Sequence, residues 1–139
     1  MNLTLIRAGA ICKGHLKAIS RVEQTDLVAI VDTDPWAKEI AAAVGASFYA
    51  TTGTMLRSLE PDGVIVSTRT DHHLQPLINS LQTGARVLVE KLITPTMKEA
   101  KAFVDVSEKF SRHVLVGYHR RYSENILNLK WLEKKLISC

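Results

Sequence analysis

The sequence predicts a doubly wound α/β domain, a parallel sheet of about six strands covered by helices on both faces. Three observations predict it. Short apolar runs alternate along the chain with segments of helical periodicity, the runs are apolar at successive residues, and turn residues stand at nearly every junction. Unbroken apolar runs belong to strands buried on both faces, and helix-covered parallel sheets are where such strands occur.

The elements follow in order. Leu3 to Ile6 reads as the first strand, and Lys13 to Arg21 as a helix with Leu16 and Ile19 on one face. Leu27 to Val31 is the second strand and ends at Asp32. Asp34-Pro35 offers an N-cap and a first-turn proline to a helix running through Ile40 and Val44, which Gly45 stops. A short strand at Ser47 to Tyr49, a small helix at Met55 to Leu59 and a Pro61-Asp62-Gly63 turn come next. Val64 to Val66 is the fourth strand, Leu74 to Leu81 a helix closed by Gly84, and Arg86 to Val89 a strand that runs into Glu90-Lys91. Thr96 and Glu99 have capping-box spacing at the head of a helix reaching about Phe110. His113 to Val116 is the last strand. Residues 1–122 therefore form the domain, and 123–139 an amphipathic helix with Ile126, Leu129, Leu132 and Leu136 on one face. Right-handed crossovers give the strand order 3-2-1-4-5-6, with a ligand crevice at the carboxyl ends of strands one and four. Arg7, Asp32, Thr68, Arg69, Glu90, Lys91 and Tyr118 all fall at carboxyl ends of strands.

Composition narrows the function classes. A chain of 139 residues that is 46% apolar is one soluble domain with room for a real core. No apolar stretch approaches the roughly 18 residues that span a bilayer, and Met1 to Ile6 runs straight into a strand, so a cytoplasmic protein without membrane contact is expected. Cys12 and Cys139 match neither a disulfide framework nor a zinc pattern, and the neighbours His72 and His73 suit a loop or cap role; no metal site is expected. The net charge of +4 suits anionic ligands, but the basic residues are scattered, which argues against nucleic acid. Lys130, Lys134 and Lys135 read as the wet face of the last helix.

The segment Arg7-Ala8-Gly9-Ala10-Ile11-Cys12 occupies the place of a dinucleotide-binding turn. In a GxGxxG turn the backbone N–H groups at the helix N-terminus take pyrophosphate, and an acid about 20 residues further on takes ribose hydroxyls. Asp32 is that acid, but only the middle glycine, Gly9, is present. Arg7 stands where the tight turn wants glycine and Cys12 where helix and strand pack closely. Arg7 is expected to pair with Asp32 and fill the ribose and pyrophosphate space, or with Arg69 to make a small-anion site.

Four segments together resemble the N-terminal nucleotide-binding domain, a Rossmann fold, of the Gfo/Idh/MocA oxidoreductases. They are Gly9-Ala10-Ile11 followed by His15, Ile30-Val31-Asp32, Val66-Ser67-Thr68 with His73, and Gly84-Ala85-Arg86-Val87-Leu88-Val89-Glu90-Lys91. Gly117-Tyr118 with Arg120-Arg121-Tyr122 is similar to the family's next motif, and the likeness runs from residue 2 to about 130. The resemblance implies NAD or NADP as cofactor and oxidation of a sugar or polyol hydroxyl. It implies Lys91 as the catalytic residue at the reacting hydroxyl, and Gly9, Ala10, Ile11, Asp32, Thr68, His73, Glu90 and Arg121 as cofactor-binding positions. The chain departs from the family at Arg7 and Cys12, at Arg69 in place of a proline, and at Leu92 in place of the proline of Glu-Lys-Pro. Leu92 predicts a trans peptide and a Lys91 turned from the nicotinamide position. The family's second, substrate-binding domain would begin near residue 123 and is expected to be missing. The expectation is a nucleotide-binding domain with weakened cofactor binding and no catalysis alone, paired as a homodimer through uncovered apolar surface. The alternatives are an anion- or nucleotide-binding or assembly module without redox chemistry, and a coenzyme A-binding domain, against which Glu90-Lys91 argues.

Overall fold

A computed structural model describes residues 1–110, 114–124 and 126–128. Six strands form one sheet in the spatial order β3-β2-β1-β4-β5-β6: β1 (Asn2–Ile6), β2 (Asp26–Val31), β3 (Ser47–Tyr49), β4 (Gly63–Val66), β5 (Arg86–Val89) and β6 (Val114–Val116). Every pairing is parallel. The connecting helices are α1 (Cys12–Ile19), α2 (Ala37–Ala43), α3 (Thr52–Ser58), α4 (Leu74–Gln82) and α5 (Met97–Lys109). The predicted Rossmann order is the observed one.

Alternation along each central strand divides the apolar residues between two layers. Leu5, Ile30 and Ile65 face α1 and α2 and pack with Cys12, Ile19, Ala37 and Ala41. Ile6, Val31, Val64, Val66, Val87 and Val89 face the other way, onto Met55, Leu77 and Leu81 of α3 and α4. Phe103, Val106 and Phe110 of α5 complete that second layer from its edge. The edge strand β6 is covered on one face only, and Leu115 at its middle is 68% exposed.

Local chemistry sets the helix ends. Gly45 and Gly84 take φ of 72° and 87°, left-handed backbone that glycine adopts freely after a helix. Thr51 caps α3 by accepting from Thr54 N at 3.1 Å, so the helix starts three residues before the predicted Met55. Thr96 caps α5 as predicted, accepting from Glu99 N at 3.2 Å while its hydroxyl lies 2.7 Å from Glu99 Oε2. Asp34 acts one turn ahead of α2, its Oδ1 accepting from Trp36 N at 3.1 Å. The sequence did not reveal two short 3-10 turns, Thr70–His72 and His119–Tyr122. Of the predicted last helix, Glu124 and residues 126–128 are helical; Leu129, Leu132 and Leu136 lie outside the described residues. No helix among the described residues is long and apolar enough to cross a membrane.

Candidate functional site

The carboxyl ends of β1, β2 and β4 open onto a crevice of about 920 Å³. Arg7 and Gly9 line it from the turn after β1, Asp32 and Trp36 from the segment after β2, and Thr68 and Arg69 from the segment after β4. Gly9, Asp32 and Thr68 thus meet as the sequence implied. Ala10 and Ile11 stand exposed at the head of α1. Among the described residues, the N–H groups of Gly9, Ala10 and Ile11 have no protein acceptor. They are free to bind an anion at the end of a helix that favours negative charge.

Arg7 has a φ of 77°. For a residue with a Cβ that conformation costs about 1 to 2 kcal/mol, and it persists because its neighbours fix it. Arg7 N donates to Val31 O at 2.7 Å, Ser67 Oγ donates to Arg7 O at 2.8 Å, and Ala8 N donates to Asp32 Oδ2 at 2.8 Å. Contrary to expectation, no ion pair joins Arg7 and Asp32 among the described residues. The other Asp32 oxygen accepts from Asp34 N at 3.0 Å, so each oxygen has one backbone donor. The Arg7 side chain folds over the turn instead, with Nε 3.2 Å from the point a Cβ on Gly9 would occupy. Below the turn, Cys12 is buried. Burial first, and the charge of Asp32 second, push its thiol above the ordinary value of 9.0.

A second group of residues converges after β5. Glu90 is nearly buried, and its Oε1 lies 3.0 Å from His15 Nε2 of α1, although the ring is not aimed to hydrogen-bond. The same carboxylate presses on Gly117 after β6, where an added Cβ would stand 3.1 Å from Oε2. His73 is 1% exposed, and both of its ring nitrogens reach backbone carbonyls: Nε2 lies 2.8 Å from Thr68 O, and Nδ1 2.8 Å from Leu92 O and 3.2 Å from Ile93 O. His73 therefore clamps the loop after β5 to the end of β4 and lines neither cavity. The Lys91–Leu92 peptide is cis, contrary to the trans peptide read from Leu92. Contacts from distant residues, His73 on the carbonyls above all, set the path of this loop, and the identity of residue 92 does not report them.

Lys91 and Arg121 meet across a smaller hollow of about 290 Å³, which Tyr118, His119 and Arg120 also line. Arg121 lies over the Tyr118 ring, 5.4 Å from its centroid. Sequence reading passed over Trp36, which is 53% exposed on the crevice wall, and gave His15 no partner. An aromatic residue four positions after the strand-end acid was the available signal for Trp36. Nothing local could have paired His15 with Glu90. No three His, Cys, Asp or Glu side chains cluster as a metal site among the described residues.

Comparison with known proteins agrees with this geometry. Residues 1–118 match the GFO_IDH_MocA model, an oxidoreductase family with an NAD-binding Rossmann fold. The chain is 28% identical over 129 residues to the rhizopine catabolism protein MocA of Rhizobium meliloti, covering 93% of this chain and 41% of that protein. It is 30% identical over 128 residues to an inositol 2-dehydrogenase of Leifsonia xyli, covering 90% of this chain and 38% of the relative. The WlbA dehydrogenase of Bordetella pertussis, solved in complex with NADH and UDP-GlcNAcA, superposes with a TM-score of 0.90 at 25% identity over 96% of this chain and 42% of that one. The chain thus spans about two fifths of the length of the relatives it matches. With the family model matched across residues 1–118 and the strand order observed, the chain belongs to the Gfo/Idh/MocA oxidoreductase family and carries its NAD-binding Rossmann fold.

Proposed function

We propose that this chain is the nucleotide-binding part of a sugar or polyol oxidoreductase, and that Arg7 weakens its hold on NAD or NADP. The residues fit the cofactor in outline. Asp32 and Gly9 line the crevice, so Asp32 would take the ribose, and the free N–H groups of Gly9, Ala10 and Ile11 would take the pyrophosphate. The cofactor, when bound, supplies the hydride acceptor; Lys91 would bind the reacting hydroxyl.

One observation carries the weakened hold: the Arg7 side chain lies over Gly9, where the backbone must approach the pyrophosphate. NADH fluorescence titration tests it. The native chain should bind with Kd above about 1 mM, and Arg7→Gly about tenfold more tightly. Submillimolar binding that Arg7→Gly leaves unchanged would contradict the proposal.

A second reading, a small-anion site without redox chemistry, is favoured by the same guanidinium standing beside free amides and by Arg69 on the facing wall. Phosphate should then raise the melting temperature more than chloride at matched ionic strength. The expected dimer belongs to the proposal as well. The exposed Leu115 on β6 supports an apolar contact between two copies, and light scattering that shows a monomer at high concentration would remove it.

A further inference from the structure

The two cavities at the carboxyl edge of the sheet differ in charge. The crevice wall mixes Arg7 and Arg69 with Asp32, Asp34 and Asp71. The hollow after β5 and β6 is lined by Lys91, Tyr118, His119, Arg120 and Arg121, with no carboxylate among the described residues. Among the described residues, no ion pair involves Lys91, Arg120 or Arg121. The carboxylate nearest to Lys91 in sequence, Glu90, lies against His15 and Gly117, accepts from the Lys91 backbone N–H at 3.3 Å and does not line the hollow. Three basic side chains therefore share a hollow of about 290 Å³ with no carboxylate on its walls among the described residues. Such a surface concentrates anions. Arg121 is held against Tyr118, so its planar fork of donors is partly ordered before any ligand arrives.

We infer that this hollow receives the anionic group, a carboxylate or a phosphate, of a sugar-sized ligand. The volume is at the small end of ligand pockets and suits one ring, not a nucleotide. Calling that ligand the substrate rests on the oxidoreductase reading above; the binding of the anion does not. Acidic or phosphorylated sugars are then the preferred class, ahead of neutral polyols.

The test uses three probes on the 139-residue chain at matched ionic strength: glucuronate, glucose 6-phosphate and glucose, each followed by calorimetry and by backbone amide NMR. At least one anionic sugar should bind about tenfold or more tightly than glucose and shift the signals of Tyr118 to Arg121. Arg120→Gln and Arg121→Gln, both at exposed positions, should each lose several-fold of that preference, whereas Lys101→Gln on the exposed side of α5 should keep it. Tighter glucuronate assigns a carboxylate, tighter glucose 6-phosphate a phosphate. Equal affinity for all three sugars, no binding, or shifts confined to Gly9 to Ile11 and indifferent to the arginine changes would overturn the inference. NADH titrated in parallel separates the two claims. Anion preference in the native chain with no NADH binding even by Arg7→Gly sinks only the oxidoreductase reading, and NADH binding by Arg7→Gly without anion preference sinks only this inference.

Discussion

The turn after β1 and the loop after β5 sit at the same edge of one sheet and are both held by other elements, but they differ in what they leave open. The backbone groups of the turn after β1 bond Val31 O, Ser67 Oγ and the Asp32 carboxylate, and the amides of Gly9, Ala10 and Ile11 stay free. In the loop after β5 the buried His73 takes up the carbonyls of Leu92 and Ile93, and Glu90 is enclosed between His15 and Gly117. The first region keeps donors for a ligand, and the second spends its polar groups on the fold.

This comparison breaks most readily at His73. His73→Ala removes the only side chain seen to bond the carbonyls of Leu92 and Ile93 among the described residues and should cost about 2 to 4 kcal/mol in urea denaturation, with the Arg7 turn undisturbed. A loss below about 0.5 kcal/mol would show that the loop holds itself. Gly117→Ala should cost about 1 kcal/mol, because the new methyl would stand 3.1 Å from Glu90 Oε2 and the enclosed carboxylate must shift slightly to admit it. A moved His15 ring signal in that variant would show that β6 and α1 communicate through Glu90; an unmoved one would separate them.

Cys12 gives the smallest effect and probes the turn from below. Its thiol, raised by burial and then by Asp32, holds its proton more tightly folded than unfolded. Its contribution to stability is therefore complete below about pH 9 and declines as pH rises through the folded value. In a Cys139→Ser background, Cys12 should label far more slowly in the native state than in urea, and Cys12→Ala should flatten the alkaline fall in stability. Native labelling as fast as unfolded labelling would show an open turn.

The sequence made the sheet legible because most strands carry a short apolar run, as in Leu27 to Val31, Val64 to Val66 and Val87 to Val89, and because right-handed crossovers predict the strand order that is observed. Gly45, Gly84 and the Thr96–Glu99 box marked helix ends for local reasons, and these held. What it misjudged were contacts between elements distant in sequence. Arg7 and Asp32 have opposite charges at neighbouring strand ends, so a pair looked natural, yet the backbone amides of Ala8 and Asp34 reach the carboxylate. The peptide after Lys91 was read from residue 92 alone, while His73, nearly 20 residues earlier, meets the loop's carbonyls. His15 and Glu90 are 75 positions apart and share no local signal.

We propose that one side chain, Arg7, stands between this Rossmann frame and effective cofactor binding. Titration of NADH into the native chain and Arg7→Gly, with urea denaturation of both, tests it most directly. Arg7→Gly should gain about 1 kcal/mol of stability from relief at φ 77° and bind NADH about tenfold more tightly. Equal NADH affinity in the two proteins, whatever their stabilities, would contradict it.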